Sequence, residues 1–180
     1  MVKTVFVEGL ESTRRPVLEA LAKLRLRGLR VDSVPQSRLR GVHGRACRNP
    51  SSNSWYGYYT ALMREHLDAP SPPGDTATVV VRETSAAVTF WSEIQPRIDD
   101  FDDYHRHGLM TEFRKRTNAE VAGEGVWVYL APPLAWPAME ESLQRLRYRG
   151  RPVHLVEPPH GDARRAVDVA REIATLVQSP

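Results

Sequence analysis

The chain has 180 residues, 41% of them hydrophobic and 26% charged, and a formal net charge of +3. These values are typical of one soluble globular domain, and no apolar stretch approaches the roughly 20 residues of a membrane-spanning helix. The N-terminus does not have the form of a signal peptide. The single cysteine, Cys47, excludes an intramolecular disulfide and favours a reducing, intracellular location, cytoplasmic or nuclear.

Apolar runs and helix-forming runs alternate from the start of the chain. A strand is predicted over residues 4–7 and a helix over residues 17–26, with Pro16 near the helix start and Gly28 as its cap. A second strand is predicted over residues 29–34. This order is the beginning of a strand–helix–strand unit.

The middle and end of the chain continue the alternation. Residues 36–50 contain Gly, Arg, His and Pro without a period and are predicted to be a loop, and Ser52 or Asn53 is expected to cap a helix that runs to Leu67. Further strands are predicted over residues 76–81, 125–130 and 152–156, and further helices over residues 85–94, 104–117, 136–148 and 162–177. Such alternation predicts a five-stranded parallel sheet covered by helices on both faces, a three-layer α/β/α domain over residues 1–180.

The first strand and helix flank a segment with the spacing of a phosphate-binding loop. The motif G-x-x-x-x-G-K-[ST] laid on Gly9 places Arg14 at the second glycine, Arg15 at the lysine and Pro16 at the Ser or Thr. Arg14 brings a Cβ and a long side chain to a place where backbone N–H groups must approach phosphate. Pro16 has neither a hydroxyl for Mg²⁺ nor an N–H group. The segment keeps the frame of a phosphate loop without its chemistry.

Five segments, in this order, resemble the deoxynucleoside kinase and thymidylate kinase group. They are Val7–Glu11 with the Leu-rich helix after it, Trp55–Leu62, Val79–Phe90, Tyr129–Pro133 and Leu143–Arg151. The resemblance covers nearly the whole chain and implies the fold of P-loop nucleoside kinases. In that family ATP and Mg²⁺ serve the transfer of a phosphoryl group to a nucleoside or nucleotide.

The departures from the family pattern fall where its chemistry takes place. The family's general base, a Glu before a Pro, is replaced by Val34, which cannot accept a proton. The acid–arginine pair after the third strand is reversed as Arg82 and Glu83, so alternation along a strand aims each charge at the opposite face. The base-reading Gln corresponds to Gly57, which has no side-chain amide.

Only the lid-like segment of the family pattern keeps its residue type, and an aromatic helix resembles the family helix that holds the base. The lid-like segment of about residues 143–152 retains four arginines: Arg145, Arg147, Arg149 and Arg151. The aromatic residues Trp55, Tyr56 and Tyr59 correspond to a remnant base pocket that could stack a ring. The alternative for these aromatic residues is core packing at helical spacing.

The sequence therefore leads to three hypotheses. The first is a catalytically inactive kinase homologue without a cofactor, which binds protein partners or a second copy as a subunit of a larger assembly or viral particle. The second is a nucleoside or nucleotide kinase that uses ATP and Mg²⁺, with Arg14 and Arg15 holding phosphate. The third is a phosphate or nucleic-acid binder that uses the basic residues of 23–48, which otherwise form a solvated face.

Other polar residues have structural interpretations that we favour. His105 and His107 follow the aspartates of residues 99–103, but this spacing matches no metal-ligand pattern and favours an acidic turn that caps a helix. His43 and Cys47 lack a second pair of ligands for zinc. Ser12 and Thr13 resemble loop hydroxyls, and we expect them to cap the first helix. No metal site is predicted.

Overall fold

Five parallel strands form the centre of the protein in a computed structural model that describes residues 2–32, 36–67, 74–131, 136–159 and 161–178. Their order across the sheet is β2-β3-β1-β4-β5. The strands are β1 (Lys3–Glu8), β2 (Leu29–Asp32), β3 (Val79–Arg82), β4 (Gly125–Leu130) and β5 (Val153–Val156). The predicted five-stranded parallel sheet is confirmed.

Seven α-helices connect and cover the strands in the described part of the chain. They are α1 (Glu11–Lys23), α2 (Gln36–Arg48), α3 (Ser52–Leu62), α4 (Ala86–Thr89), α5 (Asp103–Ala122), α6 (Pro137–Tyr148) and α7 (Ala163–Gln178). A π-helical turn, Met63–Leu67, extends α3. A π-helical turn and a 3₁₀ turn, Phe90–Ile94 and Gln95–Asp100, extend α4. None of these helices is long and apolar enough to cross a membrane.

The sheet is buried on both faces because its strands carry apolar side chains at successive positions. Val5 and Val7 of β1 point to the face covered by α1 and α7, where residues such as Leu21 and Ile173 complete the core. Phe6 points to the other face, where it packs with Trp127, Ala87 and Leu143. Continuous apolar runs of this kind are typical of parallel strands covered by helices on both sides.

Residues 36–50 were predicted to be a loop, and this prediction is wrong, because Gln36–Arg48 form helix α2. Leu39 and Ala46 are buried two helical turns apart, and the helix packs against α3. Two glycines and many arginines hide this spacing in the sequence. Packing against a neighbouring helix therefore decides a segment whose local propensity is weak.

The first helix begins earlier and ends earlier than predicted. It starts at Glu11, so Pro16 lies inside the helix and not at its first residue. Its C-terminal cap is Leu24, followed by Arg25 with a left-handed φ of 47°, so Gly28 does not cap it. The carbonyl group of Gly28 instead accepts the N–H groups of residues 78 and 79 beside β3.

Helix α3 is capped by Ser51, not by Ser52 or Asn53 as predicted. The Ser51 Oγ accepts the backbone N–H of Ser54 at 3.2 Å. We expect Ser51→Ala to lower the free energy of unfolding by about 1 kcal/mol, because one N–H group of the first turn loses its acceptor. The matched control is Asn53→Ala on the same exposed turn, which should change the free energy of unfolding by less than about 0.5 kcal/mol. Urea denaturation monitored by circular dichroism measures both, and equal effects would contradict this cap assignment.

Candidate functional site at the carboxyl edge of the sheet

The connection between β1 and α1 lies at the carboxyl edge of the sheet, where ligands bind in open α/β folds. It consists of only two residues, Gly9 and Leu10, because β1 ends at Glu8 and α1 begins at Glu11. Gly9 has a φ of +135°, and a Cβ there would lie 2.7 Å from the carbonyl oxygen of Leu130. Gly9 therefore permits a tight passage between adjacent strands.

The backbone after Gly9 is already occupied by helical hydrogen bonds. The N–H groups of Thr13 and Arg14 both donate to the carbonyl oxygen of Leu10, at 3.0 and 2.9 Å. The Thr13 hydroxyl donates to the same oxygen at 2.8 Å, so it does not cap the helix. Ser12 also lies within the first turn, and the N-terminal cap, Leu10, makes no side-chain bond. The expectation that Ser12 and Thr13 cap α1 is therefore wrong.

Arg14 is held among carboxylates of its own chain. Its Nη2 lies 3.5 Å from Glu83 Oε1, and the two side chains are only 17% and 3% exposed. Burial raises the pKa of Glu93, and the positive charges of Arg14 and Arg97 oppose this rise. Arg14 thus serves as a counter-ion for buried carboxylates, whereas Arg15 lies on the helix surface and pairs with Glu19 at 2.9 Å.

Glu8 ends β1 as a fully buried carboxylate with three donors. The Ser85 N–H and hydroxyl donate to Oε1 at 2.8 and 2.7 Å, and the Thr84 hydroxyl donates to Oε2 at 3.2 Å. The Trp127 indole N–H donates to the Ser85 Oγ at 3.1 Å. Burial raises the pKa of Glu8 to about 7, although Arg14 and these hydrogen bonds act in the opposite direction.

A second carboxylate, Glu120 of α5, caps the same region from the other side. It accepts the N–H groups of Ala86 and Ala87 at 2.9 Å each, at the start of α4. Burial raises the pKa of Glu120 to about 7, and the nearby Glu8 adds to this rise. Two acidic groups therefore stabilise one helix N-terminus, a position that favours negative charge.

Two adjoining cavities lie beside Arg14 and the carboxylates Glu83 and Glu93. The inner one has a volume of about 170 Å³, and its mixed lining includes the charged residues Glu11, Arg14, Glu83 and Glu93, together with His43 and Tyr58. The outer one has a volume of about 490 Å³ and a mainly aromatic lining, which includes His43, Trp55, Tyr58, Tyr59, Glu93 and Trp136. Because His43, Tyr58 and Glu93 line both, the cavities form one cleft with a charged end and an aromatic end.

The structure brings part of the predicted aromatic pocket into this cleft. Trp55 and Tyr59 line the outer cavity, with their rings stacked at 6.1 Å. Arg97 lies over the Trp55 ring, 4.3 Å from its centroid. Tyr56 lies elsewhere, against His105 at 4.4 Å. Base stacking on Trp55 and Tyr59 stays a prediction, and Tyr56 is too far around the helix to share it.

The side chains of the reversed pair, Arg82 and Glu83, point in different directions, as expected for neighbouring residues at the end of a strand. The Arg82 guanidinium donates to the Leu67 carbonyl oxygen at 3.0 Å and lies 3.9 Å from Asp32, away from the cleft. Glu83 faces the cleft and Arg14. Val34, the position of the family's general base, lies outside the described residues. Gly57 has open space beside its Cα and lines a groove between α2 and α3 instead of this cleft.

The four lid-like arginines lie at the opposite, amino edge of the sheet. Arg145 and Arg147 belong to the last turn of α6, and Arg149 and Arg151 lie between α6 and β5. Arg151 donates to the carbonyl oxygen of Gly123, which precedes β4, at 2.7 Å. A strand of six residues spans about 20 Å, so these side chains do not reach a phosphate at the β1–α1 connection. Strand β4 ends at Leu130 on the carboxyl edge, and α6 begins at Pro137.

The basic residues of 23–48 whose side chains the structure describes do not form one surface. Lys23, Arg25 and Arg27 lie near the amino edge between α1 and β2, whereas Arg45 belongs to the last turn of α2. Arg30 is neutralised by Asp32 at 2.8 Å and by a further aspartate, Asp75. The sequence cluster is therefore dispersed by the fold.

The acidic turn before α5 caps a helix, as predicted. Asp102 is the N-terminal cap, and it accepts the backbone N–H of His105 at 3.0 Å and faces its Nδ1 at 2.6 Å. The backbone hydrogen bond from His105 is the main reason why the pKa of Asp102 is lowered. Within the described ranges no group of three acidic, His or Cys side chains could hold a metal ion. His43 and Cys47 lie one turn apart on α2, with Sγ 3.7 Å from Nε2.

Four functional-site residues were not singled out by the sequence: Glu8, Glu93, Arg97 and Glu120. Glu8 carries the clearest signal, an acid directly at the end of a buried strand and before a glycine that the turn requires. Glu93 lies among apolar residues of the turn Phe90–Ile94, and Glu120 lies on α5 among ordinary polar and charged residues. Their burial depends on which helix faces α4, and this is a tertiary property.

Comparisons with solved structures agree with this architecture. The chain is similar to a NadR protein in complex with NR, with a TM-score of 0.63 and 15% identity over 99% of this chain. A NadR protein in complex with NAD and AMP-PNP gives a TM-score of 0.59 and 16% identity, also over 99% of this chain. The chain has a P-loop kinase-like fold.

This likeness concerns the fold, and the chain spans only 50% of each NadR chain. A shikimate kinase from Acinetobacter baumannii in complex with shikimate is 15% identical over 98% of this chain and 93% of its own, with a TM-score of 0.46. No family model matches the chain. No curated protein matches it either. The finer resemblance to deoxynucleoside and thymidylate kinases stays a prediction.

Proposed function

We propose that this protein is a catalytically inactive P-loop kinase-like protein that acts as an interaction subunit of a larger assembly. The observation that carries the proposal is the two-residue connection between Glu8 and Glu11. A phosphate loop needs several successive N–H groups that are free to surround phosphate oxygens. Here the N–H groups of Thr13 and Arg14 already donate to Leu10.

The side chains near this connection support the same conclusion. Phosphoryl transfer depends on positioning and on neutralising phosphate charge. Arg14 neutralises buried carboxylates of the protein, and Arg15 pairs with Glu19 on the surface. The lid-like arginines lie at the other edge of the sheet. None of these cations is placed to replace the missing loop.

Such a protein keeps a complete apolar core on both faces of its sheet and lacks phosphate chemistry. It therefore acts by binding. Protein chains, including a second copy, are the partners that this proposal assigns to it. A viral particle is one assembly of this kind.

One observation favours a second candidate, a nucleoside or nucleotide kinase. The cleft at the carboxyl edge joins carboxylates to aromatic rings, and this combination suits a ligand with a flat ring and hydrogen-bond donors. The NadR structures that this chain resembles in fold contain NR in one case and NAD with AMP-PNP in the other. In this candidate, Arg15 would leave Glu19 and hold phosphate of ATP–Mg²⁺.

Thermal denaturation with and without 5 mM ATP–Mg²⁺ separates the two candidates. We expect the melting temperature to change by less than about 1 °C, because a ligand raises it only by binding the native state. A ligand present at 100 times its Kd would add about 2.7 kcal/mol of stability, which is a rise of several degrees. Such a rise, lost in Arg15→Ala, would contradict an inactive phosphate site, and turnover of a nucleoside would then establish the second candidate. Thymidine and thymidine monophosphate test the cleft alone in the same assay.

A further inference from the structure

The C-terminal turn of α6 carries cations that the proposed function does not use. Arg147 and Arg149 are exposed on either side of Tyr148, whose side chain is 94% exposed. We call these three residues the α6 platform. It lies at the amino edge of the sheet, away from the cleft at the carboxyl edge.

The backbone of the α6 platform is held in one conformation. Gly150 follows the helix with a left-handed φ of 72° and donates its N–H to Arg147 at 2.9 Å. The N–H of Arg151 donates to Leu146 at 3.0 Å. These two bonds form a Schellman motif, which ends the helix in a fixed geometry. An ordered surface loses less conformational entropy when it binds a ligand.

The charges of the platform are not balanced by acidic side chains. Arg145, one turn earlier, is offset by Glu141 at 2.6 Å, but Arg147 and Arg149 make no ion pair with any described residue. Arg149 and Arg145 lie over the Trp91 ring, at 5.4 and 5.9 Å from its centroid. An acid at this edge, Glu124, lies beyond the end of α5 and is exposed.

Helix stability explains part of this arrangement. Cations near a helix C-terminus interact favourably with the negative end of the helix dipole, so the arginines alone have a structural use. The exposed ring of Tyr148 has no such structural use, because it packs against no apolar cluster in the described structure. Tyr148 is an exposed ring flanked in the sequence by two exposed arginines, and proteins combine aromatic rings with arginines to stack unpaired bases while they hold the backbone phosphates.

We propose that the α6 platform binds single-stranded nucleic acid without sequence preference, with one base stacked on Tyr148 and phosphates on Arg147 and Arg149. The ring favours a single strand over a duplex, because bases in a duplex are already stacked on each other. It also favours nucleic acid over an acidic polypeptide, whose carboxylates would satisfy the arginines without using the ring. The proposal does not depend on whether the cleft binds a nucleotide.

Fluorescence anisotropy with a labelled 20-nucleotide oligo(dT) tests the proposal on the full chain. We expect a Kd of about 100 µM or tighter at 50 mM salt. Two phosphate contacts on single-stranded DNA predict a salt slope near −1.4, so binding should weaken about sevenfold at 200 mM salt. Tyr148→Ala should weaken binding about tenfold with the salt slope unchanged, and Tyr148→Phe should restore it. Arg147→Glu with Arg149→Glu should abolish it.

The matched control reverses two exposed arginines of α7, Arg164→Glu with Arg171→Glu, and produces the same change of net charge on the other face of the sheet. This control should change Kd by less than about twofold, because salt screens the charges of α7 from a strand that is bound on the other face of the sheet. Circular dichroism must show that each variant is folded. The proposal is overturned if oligo(dT) does not bind, or if the α7 control weakens binding as much as the platform variant. It is also overturned if Tyr148→Ala has no effect while polyglutamate competes, which would indicate an acidic polypeptide partner.

Discussion

Arg14→Ala is expected to lower the free energy of unfolding by about 3–5 kcal/mol, the usual effect of removing one partner from a buried ion pair. Glu83, only 3% exposed, would lose the cation 3.5 Å away. The same cation stabilises the ionised forms of Glu8 and Glu93. The substitution therefore leaves several buried carboxylates without their shared counter-ion.

Urea denaturation at pH 7.5 measures this effect, with Arg15→Ala as the matched control. Arg15 is the next residue on the same helix, but its pair with Glu19 is exposed, so its loss should change the free energy of unfolding by less than about 1 kcal/mol. Adding Glu83→Gln to Arg14→Ala should recover part of the loss, since the two residues are coupled. If Arg14→Ala and Arg15→Ala have equal small effects, Arg14 is not the counter-ion of this network.

This result would bear directly on the proposed function. An arginine that clamps phosphate must be free to leave its resting partners, and its loss should change ligand binding more than folding. An arginine that neutralises buried carboxylates behaves in the opposite way. The balance between lost stability and lost ligand binding in Arg14→Ala thus distinguishes the inactive protein from a kinase with a rewired site.

The second large effect concerns pH. We expect the free energy of unfolding to fall as the pH rises from about 4.5 to 7. In Glu8→Gln, the fall between pH 5 and pH 8 should be smaller by about 2–3 kcal/mol. Burial raises the pKa of Glu8 from 4.5 to about 7. In this range the unfolded chain has released a proton that the folded protein still holds. The unfolded state binds fewer protons, so the free energy of unfolding falls as the pH increases.

Glutamine suits this position because the hydrogen bonds can be kept. Its carbonyl oxygen can accept both donors of Ser85, and its NH₂ group can donate to Thr84, whose hydroxyl can turn toward Thr89. Urea denaturation at pH 5 and pH 8 gives the difference for each protein. Glu19→Gln, on the exposed surface of α1, should leave the difference between the two pH values unchanged. An unchanged pH dependence in Glu8→Gln would show that Glu8 is ionised in the folded protein throughout this range.

Much of the fold followed from local pattern. The apolar runs at residues 4–7 and 125–130 predicted the strands β1 and β4, and β4 has the predicted bounds, Gly125–Leu130. The apolar face of α7 predicted the last helix within a residue or two. These elements can be predicted from the sequence because buried positions recur with a period that is characteristic of a strand or of a helix. The chemical defects at Arg14, Arg15 and Pro16 were also visible, since they depend only on residue type.

The tertiary structure decided the features that depend on distant residues. Helix α2 exists because Leu39 and Ala46 find a partner in α3. Arg14 is a counter-ion because the end of β3 brings Glu83 beside α1, and Tyr56 faces His105 because α5 packs there. The lid-like arginines are remote from the β1–α1 connection because parallel strands place the end of a helix and the end of a strand at opposite edges. Residue type and period are properties of a short segment, whereas burial of charge is fixed only when the layers assemble.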